Sequence, residues 1–363
     1  MGCKICTNKA SHKISIPPTV NTDKMSCLSC ECEIPQESYP SLIKTSSPMI
    51  LKRQLEKFIE SHIALYLDSL SPFLLTSSDM LLDSGQLDHF YKEMTILHSS
   101  LPSSHAKFKR LISELKILKK NLPLNYTNSI FIQSNPSHLD LMKALIVGSE
   151  ETPYANGVFL FDIYFDDNYP STPPKMVLMT NGNNSIRFNP NLYSNGYICL
   201  SILGTWSGDS IEKWNGDRST LLQILLSIQS LVMTEGVYFN EPGYSWDKNS
   251  STAIALNRAY SNIVKYGTVK FAMNEMIMKK PKGFENIIKN HFVNKKKDII
   301  KTCRKWLDQA KEDNGKCDYD GLVSSHNAIL ASKFKSEGGY YCMLSEEVGV
   351  LERLISKMES YEY

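Results

Sequence analysis

Apolar residues recur at helical spacing in four stretches of the chain, and at strand spacing in one block among them. Over residues 48–75, Leu51, Leu55, Phe58, Ile59, Ile63 and Tyr66 fall on one face, which predicts an amphipathic helix packed on a core. A second helix is predicted over 106–120, with Phe108, Leu111, Ile112, Leu115 and Leu118 inward and Lys107, Lys109, Arg110, Lys116 and Lys119 on the solvated side. Leu122-Pro123 ends it, because a proline cannot continue the hydrogen-bond ladder. A third covers 220–233, opened by the capping box Thr220-x-x-Gln223 and lined by Leu221, Leu225, Ile228 and Leu231. The fourth pattern, over 284–310, carries Ile287, Ile288, Phe292, Ile299, Ile300, Trp306 and Leu307, with Lys295, Lys296 and Lys297 reading as a solvated charge run.

Between the second and third helices, short runs of branched and aromatic residues at 129–133, 140–147, 157–165 and 175–180 are bounded by Gly, Pro and Asn. Four consecutive short strands predict an antiparallel meander. Tyr169-Pro170-Ser171-Thr172-Pro173-Pro174 interrupts them with three prolines that cannot join a ladder. Residues 76–104, with their serines, Gly85 and Pro102, read as a connector. The fold class is therefore α+β, a four-stranded meander with flanking helices.

A chain of 363 residues that is 42% hydrophobic and 21% charged can bury a sizeable core and hold two or three domains. Its net charge of +2 gives no field strong enough to draw the whole molecule to nucleic acid or to a membrane surface. No signal-peptide apolar region opens the sequence and no membrane-spanning run follows, so no membrane partner and a cytoplasmic, or also nuclear, location are expected. In a reducing compartment the nine cysteines read as ligands, catalytic thiols or packing.

One cysteine stands apart from the others. In Arg187-Phe-Asn189-Pro190-Asn191-Leu-Tyr-Ser-Asn-Gly-Tyr-Ile-Cys199-Leu-Ser-Ile-Leu203, Cys199 lies in an apolar stretch eight residues after an amide that a turn can bring back towards it. A lone cysteine is more often a small core hydrophobe. No histidine lies within fifty residues of it, which disfavours a Cys-His protease arrangement. The order and spacing of its neighbours over roughly residues 106–272, including the Tyr169–Pro174 run, resemble the core of ubiquitin-conjugating enzymes, the E2 family. Asn189-Pro190-Asn191, Cys199-Leu-Ser-Ile-Leu and Tyr238-Phe-Asn-Glu241-Pro-Gly-Tyr244 are similar to the large Apollon/Bruce-type E2/E3 hybrids.

The resemblance implies that Cys199 accepts ubiquitin or a ubiquitin-like modifier as a thioester from an activating enzyme (E1) and passes it to substrate lysines, with E3 ligases as further partners. Asn191 would donate to the oxyanion as the lysine attacks, and Glu241 would position the lysine ammonium. Asparagine in such a turn also commonly bonds local backbone, so Asn191 carries a structural reading beside the catalytic one. The exposed basic face of the second helix would dock the activating enzyme. Four departures from the common pattern stand out. Asn189 replaces a histidine, and Ser201 replaces an aspartate. Fourteen residues, among them Trp206, Gly208 and Asp209, separate Cys199 from Trp214 where compact relatives have about half as many. Ser171 and Thr172 stand where an aromatic residue helps compact members grip RING ligases, which implies weaker dependence on such a partner.

Cys3-x2-Cys6 and Cys27-x2-Cys30, 20 residues apart, have the spacing of a four-thiolate structural zinc site, with His12 and Cys32 as spare ligands. A disordered cysteine-bearing tail, or one acylated near Gly2, is the alternative. The organisation expected is a cysteine-rich segment 1–47, a helical linker region 48–104, a conjugating core 105–275 and a C-terminal helical extension 276–363. Two other functions stay open: a non-catalytic scaffold or ubiquitin-binding adaptor of the same fold, and a zinc-bearing nucleic-acid or adaptor protein, although nucleic acid is an unfavoured partner.

Overall fold

The structure is a computed structural model that describes residues 48–81, 84, 86–94, 105–241, 248–313, 317, 319, 327–336 and 339–360. The candidate zinc ligands Cys3, Cys6, Cys27 and Cys30 lie outside the described residues.

Five strands form the sheet, one more than the meander requires. β2 (Ile130–Ser134), β3 (Leu141–Val147), β4 (Val158–Tyr164) and β5 (Lys175–Leu178) run antiparallel in sequence order. The additional strand, β1 (Leu75–Ser77), pairs in parallel with β2, Leu75 opposite Ile132. Three residues are too few to show an alternating pattern, which is why a polar stretch of this kind reads as connector. The helix before it, α1 (Pro48–Leu70), gives way to a 3₁₀ turn at Ser71–Phe73, where Pro72 has no N–H to continue the α-helical ladder.

The two faces of the sheet differ. Ile130, Ile132, Ala144, Ile146, Phe159, Phe161, Ile163 and Leu178 share one face and are buried in the main core with Leu221, Ile224, Leu225 and Ile228; Ser134, at the end of β2 on the same face, donates to the Thr76 carbonyl at 3.3 Å. On the other face the register aligns Gln133, Lys143 and Asp162 in a row. All three are buried, and Ser78, Asp88, His89 and Phe90 form a strap of contacts over them and the strand beside them. Lys143 Nζ meets Asp162 at 3.3 Å and Asp88 at 3.4 Å, and the Phe90 N–H donates to Asp162 Oδ2 at 2.7 Å. Ser78 bonds Gln133, and His89 bonds the Met142 carbonyl at 3.1 Å. Strands β3 and β4 are thus covered on both sides, each carrying one charge whose partner is across the ladder.

The helix α2 (His105–Asn121) corrects the predicted division into faces. Lys107 and Glu114 are buried with Leu111 and Leu118, while Phe108 is exposed. Positions 107, 111, 114 and 118 recur at helical spacing, so the inward stripe contains two charges, each satisfied by partners distant in sequence. Lys107 pairs with Asp167 at 3.3 Å and Asp140 at 3.7 Å. Glu114 accepts from Arg110 at 2.9 Å, from the Tyr169 hydroxyl at 2.8 Å and from the Leu221 N–H at 3.0 Å. The solvated basic side is Lys109, Lys116, Lys119 and Lys120. Arg110 also holds the Gly216 carbonyl at 2.8 Å and the Ser219 carbonyl.

Helix α3 (Leu221–Ser227) opens with the reciprocal capping box between Thr220 and Gln223 and continues as a π-turn over Ile228–Val232. Helix α4 (Ser251–Gly267) runs on through a π-turn into α5 (Glu275–Lys279). The pattern over 284–310 forms two helices, α6 (Glu285–Asn294) and α7 (Lys296–Glu312). They break at Lys295, and this residue is not solvated as predicted. Its ammonium is buried on the Tyr126 carbonyl at 2.7 Å, Asn156 Oδ1 at 2.8 Å and Glu150 at 3.2 Å, so the backbone bends where the side chain dives inward. Beside it His291 bridges Tyr66 and Asn156: its Nε2–H donates to the Asn156 carbonyl at 2.9 Å, which leaves Nδ1 to accept from the Tyr66 hydroxyl at 2.8 Å. Helices α8 (Ala328–Ser336) and α9 (Gly339–Ser360) complete the extension, with α9 packed on α7 and on the turn after α4.

Candidate active site

The segment from Arg187 to Thr205 leaves the edge strand β5 and folds back on itself. Gly196, at φ +85°, makes the reversal: a Cβ there would lie 2.6 Å from the Leu178 carbonyl oxygen, to which only a glycine can come so close. The Leu178 N–H donates to the Gly196 carbonyl at 2.9 Å, tying the turn to the sheet. Leu192 and Ile198 then face each other, which brings the next pair outward, Asn191 and Cys199, together. The Cys199 N–H donates to the Asn191 carbonyl at 2.9 Å, and Asn191 Nδ2 donates to the Cys199 carbonyl at 2.7 Å. The amide reaches the cysteine that sequence spacing pairs with it, on the cysteine's own main chain.

Asn189 holds this arrangement from beneath. It is fully buried; its Nδ2 donates to the Val232 carbonyl at 2.9 Å and to the Tyr154 hydroxyl at 3.0 Å. Its Oδ1 accepts the Asn191 N–H at 2.9 Å and Asn240 Nδ2 at 3.3 Å. The Tyr154 hydroxyl in turn donates to the Phe188 carbonyl at 2.7 Å. A histidine offers one donor and one acceptor when neutral; this asparagine uses two of each.

Cys199 is 7% exposed. Its thiol donates to the Thr205 carbonyl at 3.3 Å. Thr205 is fixed in turn by its hydroxyl, which donates to the Ile198 carbonyl at 2.8 Å and accepts the Leu200 N–H at 2.8 Å. Burial pushes the Cys199 thiol above its ordinary value; the Arg187 guanidinium draws it down and the Glu241 carboxylate raises it further. The short turn Ser201–Leu203 ends at Gly204, in the left-handed region at φ +67°. Beyond it the long insertion folds back, Gly208 coming so near that a Cβ would meet Ser201 Oγ at 2.1 Å. Trp206 is half exposed and Ile211 95% exposed, and the loop closes where Trp214 Nε1 donates to the Pro170 carbonyl at 2.7 Å.

Glu241 Oε2 lies 3.5 Å from Arg187 Nη2, so its carboxylate stands in the field of the thiol and is paired. The rest of the Tyr238–Tyr244 motif, from residue 242, lies outside the described residues. Ser171 is exposed at the turn before β5, and the Thr172 hydroxyl donates to Asp166 at 3.1 Å. Spacing alone finds Cys199 and Asn191. It misses Arg187, Thr205 and Asn327, whose contacts are described here and below; the signal for Arg187 is a cation between the apolar Ile186 and Phe188.

Residues 110–249 match the family model described as ubiquitin-conjugating enzyme. The chain is 36% identical over 303 residues to the human "Dual E2 ubiquitin-conjugating enzyme/E3 ubiquitin-protein ligase BIRC6", covering 83% of this chain and 6% of that protein. It is 37% identical over 273 residues to the "Probable ubiquitin-conjugating enzyme protein 17" of Caenorhabditis elegans, covering 75% of this chain and 36% of the relative. With the "Putative ubiquitin-conjugating enzyme E2 38" of Arabidopsis thaliana the identity is 40% over 221 residues, 60% of this chain and 64% of the relative. The chain spans less than two thirds of the length of each of these three relatives.

Proposed function

Because the chain belongs to the ubiquitin-conjugating enzyme family, we propose that Cys199 carries ubiquitin, or a ubiquitin-like modifier, as a thioester and transfers it to lysine amines. The observation that carries this reading is the reciprocal pairing of Asn191 with Cys199, on a turn that ends in a nearly buried thiol within the matched region.

The chemistry is two exchanges at one carbonyl. The Cys199 thiolate attacks the thioester carbonyl held by the activating enzyme, a new S–C bond forms, and the activating enzyme's sulfur leaves as its thiolate. A lysine amine then attacks the same carbonyl, the Cys199 thiolate departs, and the amine loses a proton as the amide forms. Charging removes the thiol proton and with it the bond to the Thr205 carbonyl, which frees the sulfur from the insertion loop. Asn191 has a second amide hydrogen beyond the one on the Cys199 carbonyl, and a donor fixed at the developing oxyanion is worth about 3 kcal/mol. Glu241, held by Arg187, supplies a carboxylate beside the thiol where a lysine ammonium would approach. The exposed Lys109, Lys116 and Lys119 suit docking of an activating enzyme.

The exposed small Ser171, and a relative whose name includes ligase activity, support transfer that depends little on a RING ligase. From spacing alone, we also propose structural zinc at Cys3, Cys6, Cys27 and Cys30, to be checked by metal content of the full chain and its Cys27→Ser variant.

The deciding experiment mixes the protein with activating enzyme, ATP and ubiquitin on a non-reducing gel beside Cys199→Ala. A shifted band that a thiol reagent removes and the variant lacks supports the reading. Absence of a band with ubiquitin and with every ubiquitin-like modifier tried moves the protein to the non-catalytic scaffold.

A further inference from the structure

Among the described residues of the C-terminal extension, the buried Asn327 is hydrogen-bonded to the active-site segment. Asn327, immediately before α8, is 3% exposed and lies 140 positions from Arg187. Its Oδ1 accepts the Arg187 N–H at 2.9 Å, and its Nδ2 donates to the Arg187 carbonyl at 3.0 Å. One amide side chain thus satisfies both main-chain groups of a residue that belongs to no strand, the service a neighbouring strand would give. The Tyr260 hydroxyl adds a donor to the same carbonyl at 3.2 Å.

From that fixed main chain the Arg187 side chain turns towards the reactive end of the segment. It is 3% exposed, its guanidinium lies 4.0 Å over the Tyr193 ring, it bonds the Pro190 carbonyl, and it pairs with Glu241 at 3.5 Å. The Pro190 carbonyl is half of the peptide bond that leads into Asn191. A planar guanidinium held by a ring, a carbonyl and a carboxylate has little freedom, so the place of its charge is set by its own backbone. The backbone is set by Asn327.

We propose that Asn327 and Arg187 form a positioning pair, through which the C-terminal extension holds Asn191 and the charge beside Cys199 in reactive register. This rests on Cys199 being the reacting group of the conjugation described above. The extension is then a working part of the active site.

The full chain and its Asn327→Ala variant are compared in two ways that need no ubiquitin. Alkylation of Cys199 by iodoacetamide, followed by mass spectrometry of its peptide, gives a rate against pH. The variant is expected to react about threefold more slowly at about pH 8, with its profile moved to higher pH, because the cation that favours the thiolate is no longer held. Deuterium uptake in the peptide covering 187–193 is expected to rise in the variant, with β2 and β3 unchanged. Superimposable pH profiles, or unchanged uptake over 187–193, would overturn the proposal.

Should Asn327→Ala fail to fold, Asn327→Asp is read instead. It keeps the acceptor for the Arg187 N–H and loses the donor to its carbonyl, so raised uptake over 187–193 is again expected and unchanged uptake again overturns the pair. A protein that shows these shifts yet never charges with a modifier would refute the conjugation reading and leave the pair standing.

Discussion

Between Arg187 and Asn191 the chain is fixed by side chains that arrive from far away in sequence, Tyr154, Tyr260 and Asn327 among them. Between Leu200 and Trp214 it is fixed by its own neighbours, through the Thr205 hydroxyl, the turn at Gly204 and the close pass of Gly208 over Ser201. The first flank is buried and every amide of Asn189 is engaged; the second is largely exposed. One side of Cys199 is therefore built into the core, and the other, beyond the core residue Leu203, is mostly solvated until Trp214. Geometry for the reaction belongs on the first side, and choice of acceptor has room to vary on the second.

This contrast can be broken in four places. Asn189→Ala strips the buried Tyr154 hydroxyl of its donor and releases the Asn191 N–H, while the Val232 carbonyl keeps Asn240 and the Thr234 N–H; at about 1–3 kcal/mol for an orphaned buried group, the loss should total about 2–3 kcal/mol. Thermal unfolding should show a fall of about 5 °C or more, with charging abolished in the same preparation. A melting temperature equal to the parent's would mean the flank is not rigid.

Asn191→Ala removes only the donor above the turn. Single-turnover discharge to free lysine should slow by about 10²-fold or more while charging changes far less, since a transition-state donor is lost and the thiol is kept. Equal slowing of both steps would leave Asn191 with the structural role alone.

Thr205→Val keeps the shape and loses the hydroxyl that anchors the insertion, at about 1 kcal/mol. Alkylation of Cys199 should quicken by about threefold as the carbonyl of residue 205 moves off the sulfur. In the parent the rate should climb through about pH 8.5 without levelling, because burial holds the thiol pKa above its ordinary value and the thiolate is the reacting form. A plateau below that pH would contradict the buried thiol.

Ile211→Ser should do least. The side chain is almost wholly in water, so stability should stay within about 0.5 kcal/mol and charging should be unchanged. A drop in melting temperature would show that the second flank is packed after all.

The same division runs through what sequence could show. Asn191 and Cys199 are readable because a single tight turn relates them, and Thr220 with Gln223 because capping acts over three residues. Local spacing also finds β2 to β5. It fails where a residue's environment is supplied from a distance. Lys107 looks solvated until Asp167, 60 residues on, is seen beside it, and Lys295 until Glu150, 145 residues back, closes on it. Glu114 is assigned to no face by periodicity, yet it ties α2, Tyr169 and the start of α3 together. In each case a charge occupies an apolar stripe, a pattern that signals a partner without naming it.

Strand β1 carries a practical consequence. A fragment begun at residue 105, near the start of the matched region, would leave the outer rim of β2 from Ile132 to Ser134 without its β1 neighbour and lift the strap from Lys143 and Asp162. Beyond Ile130, whose N–H stays on the Pro123 carbonyl at 3.0 Å, the strand would then offer bare N–H and C=O groups to any other chain. In the full chain that rim belongs to three residues ending in serine, too short to template a second copy. The N-terminal segment thus guards the protein against self-association in concentrated solution, quite apart from anything it does for chemistry.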